Sequence, residues 1–169
     1  MNPTQRIAFS LVSKLRNANY HVFLNNLFSS PNLFRAFRAV RVGASGTAHQ
    51  NSRIFEELIK LKKEKDSSKP WGWIKAIPTE DSLVNQFTWK DNEIVLFITT
   101  VFSDTSTVIR LRKRPGKANS EPKKTARKAF GDQWQKILPI PTAIDKYNHH
   151  MNGVDKGDQL RAEHRWQYR

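Results

Sequence analysis

The segment that most narrows the possible folds is an apolar run of nine residues, Ile94 to Phe102, interrupted only by Thr99 and Thr100. Phe87-Thr88-Trp89 precedes it, and Lys90-Asp91-Asn92-Glu93 separates the two. Two β-prone runs around a short polar connection read as a hairpin. The run is far too short for a membrane helix, which needs about twenty apolar residues. Val108 to Arg112 alternates like a third strand, and Pro70, Gly72 and Pro78 punctuate the approach. Residues 70–112 therefore read as mostly β, inserted between pieces of α/β character.

Before the insertion, helical spacing of Ile7, Ala8, Leu11, Val12 and Leu15 predicts a helix over 5–17 with Thr4 as its cap. Tyr20, Val22 and Leu24 alternate with His21 and Phe23 as a short strand. Ser30-Pro31 starts a second helix whose apolar face is Leu33, Phe34, Phe37 and Val40, with Arg35, Arg38 and Arg41 off that face and Gly43 and Gly46 in the turn beyond. Ser52 is placed to cap a third helix carrying Phe55, Leu58, Ile59 and Leu61 and ending in Lys62, Lys63 and Lys65. Pro139 and Pro141 precede a final helix with Ile144, Tyr147, Met151 and Val154 on one face. The expected class is α/β (α+β), laid out as an α/β segment (1–53), a helix plus β-rich insertion (54–112), a basic linker (113–130) and a C-terminal helical segment (131–169). That last pattern is still periodic at Arg169, so a truncated helix is expected.

Composition removes several alternatives. With 38% apolar and 11% aromatic residues the chain can build a core, which excludes a wholly disordered polycation. Cysteine is absent, excluding a disulfide scaffold and a thiolate zinc site. Met1-Asn2-Pro3-Thr4 lacks the charged and apolar zones of a signal peptide. A soluble, basic intracellular protein without membrane association is expected.

The formal charge of +14 is uneven. Residues 1–50 hold six Lys or Arg and no acid, and the first carboxylate is Glu56. Residues 110–128 hold nine basic residues against Glu121 alone. Arg112, Lys113 and Arg114 form one cluster there, and Lys123, Lys124, Arg127 and Lys128 another. Three readings stand open: a solvated loop, a two-part nuclear localisation signal, or a phosphate-contacting strap. Together with Arg35, Arg38 and Arg41, these side chains are the candidate DNA contacts, and affinity carried by them would fall steeply with salt.

No Gly-x-Ser-x-Gly elbow or phosphate-cradling Gly-x-x-x-x-Gly-Lys-Ser/Thr loop occurs. His149 and His150 are adjacent, point different ways on a helix and lack a spaced partner, so they read as surface or DNA-facing residues. The remaining constellation is Asp155 and Asp158, neighbours on a helix surface within Met151-Asn152-Gly153-Val154-Asp155-Lys156-Gly157-Asp158-Gln159. Each glycine there weakens a helix by about 1 kcal/mol relative to alanine. The pair reads either as a solvated acid pair or as a metal-binding remnant.

Tyr147-Asn148-x-x-Met151-x-Gly153-Val154-Asp155-x-x-Asp158-Gln159 resembles the segment holding the third catalytic aspartate of piggyBac-type transposases. Val22-Phe23-Leu24-Asn25-Asn26-Leu27-Phe28-Ser29-Ser30 is similar to the strand bearing the second, usually Leu-Asp-Asn-Tyr-Phe-Thr-Ser. Gly46-Thr47 followed by Asn51 and Arg53 resembles that family's Gly-Thr-x-Arg-x-Asn-Arg stretch. Trp89-Lys90-Asp91-Asn92-Glu93-Ile94-Val95 resembles a hairpin of its insertion domain. The resemblance implies a ribonuclease H-like core that cuts and joins transposon DNA with three aspartates and Mg²⁺. Three departures accompany it. Asn25 stands at the second aspartate's position, no acid precedes Glu56 where the first would lie, and the cysteine-rich zinc module is missing. Asp155 alone matches a catalytic position, as a residual metal ligand, with Asp158 its usual acidic neighbour.

These departures set the expectation of an incomplete ribonuclease H-like core, catalytically inactive on its own, without bound cofactor and retaining electrostatic affinity for DNA. Missing strands would leave a sheet edge open and stability marginal. The competing expectations are a domesticated protein-interaction module, as homodimer or with another protein, and a Mg²⁺-dependent strand-transfer enzyme completed by another chain. The basic clusters favour a nuclear location.

Overall fold

A reciprocally capped helix opens the chain. In α1 (Pro3–Val12) the Asn2 side chain accepts the Gln5 N–H at 2.8 Å, and the Gln5 side chain accepts the Asn2 N–H at 3.1 Å. This capping box satisfies two otherwise orphaned donors, so the cap is Asn2 and not the expected Thr4. The phase of the helix also differs. Ala8 is buried and Phe9 stacks on Phe37 at 5.9 Å, which leaves Ile7, Leu11 and Leu15 exposed. The computed structural model describes residues 1–16, 18–64, 69–102, 106–116 and 121–164, with the side chains of 121–123, 125, 152, 154–159, 163 and 164 outside that description.

β1 (Tyr20–Leu24), α2 (Pro31–Ala39) and β2 (Val42–Thr47) form a parallel crossover unit in the register Tyr20↔Val42 to Leu24↔Gly46. Ser30 caps α2 as expected, its hydroxyl accepting the Leu33 N–H at 3.2 Å. Leu33, Phe34 and Phe37 are fully buried, whereas Val40, at the helix end, is exposed. Gly43 and Gly46 lie inside β2 and not in a turn, because the strand passes too close to its neighbours for a side chain. A Cβ on Gly46 would stand 2.2 Å from the Leu24 carbonyl oxygen and 2.6 Å from the Ser29 hydroxyl.

α3 (Glu56–Lys63) follows Phe55 with no side-chain cap, and Ser52 instead accepts the His49 N–H at 3.1 Å. Glu56 and Glu57 in its first turn and Lys60, Lys62 and Lys63 in its last complement the helix dipole. Then come β3 (Ile74–Ala76), β4 (Asn85–Lys90) and β5 (Ile94–Thr99), followed by β6 (Thr107–Lys113), α4 (Glu121–Lys128), β7 (Gln135–Pro141) and α5 (Thr142–His164).

The predicted hairpin is β4 with β5, paired at Phe87↔Phe97 and Lys90↔Ile94. β5 also pairs antiparallel with β2 at Ser45↔Thr99 and Thr47↔Phe97. The β-rich section thus continues the sheet begun by residues 20–47, giving one mixed sheet in the order β1-β2-β5-β4-β3. Alternate residues of β5 enter two cores. Leu96 and Ile98 join Leu33, Phe34, Phe37, Leu58 and Val84 on the face carrying α1, α2 and α3. Phe97 joins Phe87, Trp89, Ile140, Ala143 and Ile144 on the face carrying β7 and α5. Double coverage explains why this strand is continuously apolar and does not alternate. The class is α+β.

The stretch read as a linker is largely regular. Arg110 to Lys113 lie in β6, and Pro122 sits in the first turn of α4, where its missing N–H costs no helical bond. β7 was not expected from the sequence, which read Pro139 and Pro141 only as preceding the final helix. The Thr142 N–H bonds the Ser106 oxygen at 3.0 Å and the Arg114 N–H the Trp134 oxygen at 2.8 Å. The β6–β7 register therefore puts ladder bonds at even-numbered residues, and both prolines fall between them.

Gly46→Ala is expected to cost about 1–3 kcal/mol through backbone displacement at the β1–β2 contact. Urea unfolding should show a lowered midpoint, and an unchanged midpoint would mean that the strands can separate without penalty.

Candidate nucleic-acid interface

The residue at the end of β1 is fixed by local hydrogen bonding. Asn25 is exposed, and its Oδ1 accepts the Leu27 N–H at 3.1 Å, closing an Asx turn. Its carbonyl accepts the Ser29 hydroxyl at 2.9 Å and the Phe28 and Ser29 N–H groups at 3.3 and 3.2 Å. Gly46, beside this turn on β2, provides the space. The position expected to resemble a catalytic aspartate thus sits where a parallel strand meets its crossover helix, a common location for sites in such sheets.

α5 crosses the same region. The Tyr147 hydroxyl lies 3.2 Å from the Thr47 hydroxyl, and its ring packs edge-on to Phe97 at 5.5 Å. His150 stacks on Phe23 at 4.6 Å, with His149 perpendicular to it at 5.0 Å. His21 lies between Phe23 and Phe102, its Nε2 3.0 Å from the Ser45 hydroxyl, which is 2.7 Å from the Thr99 hydroxyl. His150 is therefore partly engaged against β1. The backbone at 155 and 158 belongs to α5, helical despite its two glycines, but the side chains of Asp155 and Asp158 lie outside the described residues.

The basic candidates separate into two groups. Arg35 Nε donates to Asp81 at 2.5 Å, and Asp81 also accepts from the Thr79 hydroxyl at 2.5 Å and the Leu83 N–H at 3.1 Å. Those bonds, the guanidinium first, hold the Asp81 carboxyl well below the usual range. Arg38 donates to the Thr100 carbonyl at 3.0 Å, bridging α2 to the end of β5. Arg112 pairs with Asp91 at 3.1 Å, so that the ribbon grips the hairpin turn, and Asp91 also accepts Trp71 Nε1 at 3.0 Å. Arg127 donates to the Pro115 carbonyl at 2.5 Å. The Arg114 Nε is buried, and its backbone extends the β6–β7 ladder.

These arginines stitch the fold together and are not available as a set for phosphates. Arg41, Lys113 and Lys128 remain exposed and unpaired among the described residues, and Lys124 is exposed. The Lys123 side chain lies outside the described residues.

Arg110, which was not singled out, makes a two-pronged pair with Asp145 at 2.8 Å for each bond, tying β6 to α5. Hydrogen bonding to Arg110 is the main cause that lowers the Asp145 carboxyl. No short-range pattern links positions so far apart in the chain. A second feature missed by sequence is a polar concavity of about 360 Å³, where the capped starts of α1 and α2 meet Asn51, Ser52 and Arg53. Arg53 has φ 60°, a left-handed conformation that arginine rarely adopts.

All 169 residues match the family model described as Transposase IS4, over residues 1–169. The chain belongs to that family. The fold is also similar to one solved by electron cryo-microscopy, the piggyBac transposase synaptic complex with hairpin DNA, with a TM-score of 0.62 and 19% identity. That match covers 94% of this chain and 27% of the larger one, so the present chain spans little more than a quarter of its length. At that identity the likeness concerns the fold.

In this Transposase IS4 family chain, the end of β1 does not suit a divalent ion. Mg²⁺ prefers anionic oxygens, whereas Asn25 offers a neutral amide oxygen already accepting from Leu27.

Burial, and secondarily the neighbouring His150, push His21 below its ordinary value of 6.5. The fold thus favours neutral His21, and below pH 6.5 the unfolded chain takes up the proton first, so stability should fall with falling pH. Measured from neutral to mildly acid pH, the thermal midpoint of His21→Gln should fall less steeply than that of the native protein, because the variant lacks that loss. Identical slopes would place the acid sensitivity elsewhere.

Proposed function

We propose that this chain is a piggyBac-like transposase derivative that holds DNA through its basic surface and does not cleave or join strands by itself. The observation that carries the reading is Asn25. In the resemblance its position belongs to an anion, and here it is an amide committed to a turn. Two-metal transfer needs converging carboxylates to concentrate two divalent ions. Asp155, with Asp158 beside it, is the remaining acid of the pattern.

Retained affinity for DNA rests on charge. The net +14 and the exposed Arg41, Lys113, Lys124 and Lys128 support electrostatic contact with phosphates without sequence readout. The same exposed lysines of 110–128 support recognition by import machinery and hence a nuclear location. A protein-interaction role is favoured by a separate feature, the uncovered apolar face of β6 and β7.

Band-shift assays on duplex DNA should give affinity that falls steeply with salt. The combined Arg41→Ala, Lys113→Ala and Lys128→Ala variant should flatten the log–log salt slope by about 3, at about 0.9 per lost phosphate contact. An unchanged slope would remove these side chains from the interface. With Mg²⁺ or Mn²⁺ the native protein should leave duplex ends intact. Cleavage that disappears in Asp155→Ala would overturn the inactive reading, whereas cleavage that persists would come from a contaminant.

A further inference from the structure

We infer that the β6–β7 ribbon docks an extended acidic protein segment, which adds as a third strand along β6. The ribbon is apolar on both faces. Even-numbered Val108, Leu138 and Ile140 turn to the core, with Leu138 and Ile140 buried. Odd-numbered residues form the opposite face, where Ile109 is 60%, Leu111 61% and Ile137 66% exposed, with cross-strand partners Ile109↔Pro139 and Leu111↔Ile137. Trp134, 68% exposed, stands at the end of the same ladder. Strands apolar on both faces are ordinarily covered on both. Here one cover is missing among the described residues.

The two edges differ in a way that selects the mode of binding. Ladder bonds at even positions leave the odd N–H and C=O groups of β6 directed to its outer edge, and among the described residues β6 pairs with no strand but β7. On β7 the equivalent outward positions include Pro139 and Pro141, which have no N–H to offer. One edge is thus blunted and the other can receive a strand, with Ile109 and Leu111 flanking the incoming side chains.

Charge selects the occupant. Lys113 is exposed on the outer face, and although Arg110 and Arg112 are paired with Asp145 and Asp91, residues 110–128 still carry an excess of positive charge, with Lys124 and Lys128 also exposed. A second copy would bring two such segments together, whereas an acidic strand neutralises one. The few exposed apolar side chains also fall short of the roughly 800 Å² per partner typical of a stable interface between folded proteins, which suits a short segment. This proposal does not depend on the DNA-binding reading.

The probe is a short fluorescent peptide alternating valine and glutamate, titrated into the full chain. Binding should be saturable and should slow amide exchange at Ile109 and Leu111. Leu111→Pro removes an outward N–H without breaking a bond to β7, and should weaken binding at least about ten-fold, equivalent to ~1.4 kcal/mol. Lys113→Glu should weaken it as well and favour a valine–lysine peptide instead. Equal binding to Leu111→Pro, or no new amide protection, would overturn the proposal. If Leu111→Pro fails to fold, the exchange measurement on the native chain decides alone. Displacement of the peptide by duplex DNA from a common surface, or a concentration-dependent dimer abolished by Leu111→Pro, would assign the face to nucleic acid or to a second copy and would also overturn it.

Discussion

β5 is the element through which every layer of the molecule meets. Its backbone pairs with β2 on one side and β4 on the other, so it joins the parallel crossover unit to the hairpin. Its side chains divide between two cores, Leu96 and Ile98 on one face and Phe97 on the other. Burying one such side chain stabilises by roughly 1.5–3 kcal/mol, and here each contribution depends on a different cover. Loss of α5 would uncover Phe97, and loss of α2 and α3 would uncover Leu96 and Ile98. The position of Asn25 depends on the same arrangement, because β2 holds β1 while β5 holds β2.

The positive surplus performs structural work before it is available to a partner. Arg35, Arg38, Arg112 and Arg127 each connect segments distant in the chain, through Asp81, the Thr100 carbonyl, Asp91 and the Pro115 carbonyl. Arginine suits this because its planar fork reaches two groups at once and keeps its charge. Among the candidate phosphate contacts, the exposed cations outside these four links are Arg41, Lys113, Lys124 and Lys128, and the flexible, strongly hydrated lysine heads suit loose phosphate contact. A surface arginine tied to the fold contributes little to any salt-dependent affinity.

Periodicity made much of this fold legible. Ser30-Pro31 and the Leu33, Phe34, Phe37 face identified α2, and the runs around Asp91 identified the hairpin. What failed shares one cause, namely that a local signal has more than one structural meaning. Gly43 and Gly46 looked like a turn, but glycine also serves where two backbones nearly touch, and only the partner strand distinguishes these uses. Pro139 and Pro141 were read only as preceding the final helix, yet at alternate positions they fit a two-stranded ribbon without losing a ladder bond. Ile7 and Leu11 had the right spacing for a buried stripe, but the ring of Phe9 on Phe37 set the rotation of α1. At the candidate site, Asn25 was singled out through the family resemblance, and the structure puts it in the turn that follows β1. The pairing of Arg110 with Asp145 was invisible because the residues lie thirty-five apart.

The turn at Asn25 depends on an oxygen acceptor and not on a negative charge. The Oδ1 that accepts the Leu27 N–H has an equivalent in an aspartate carboxylate, so either residue closes the same Asx turn. The surrounding bonds, from Ser29 and Phe28 to the Asn25 carbonyl, belong to the backbone and are indifferent to the side chain. Exchanging anion for amide at this point therefore removes a negative charge while leaving the hydrogen bonds of the turn after β1 in place. Folding and ion binding are separable here because the fold requires an oxygen acceptor and the chemistry requires a negative one. The chain satisfies the first requirement with Asn25.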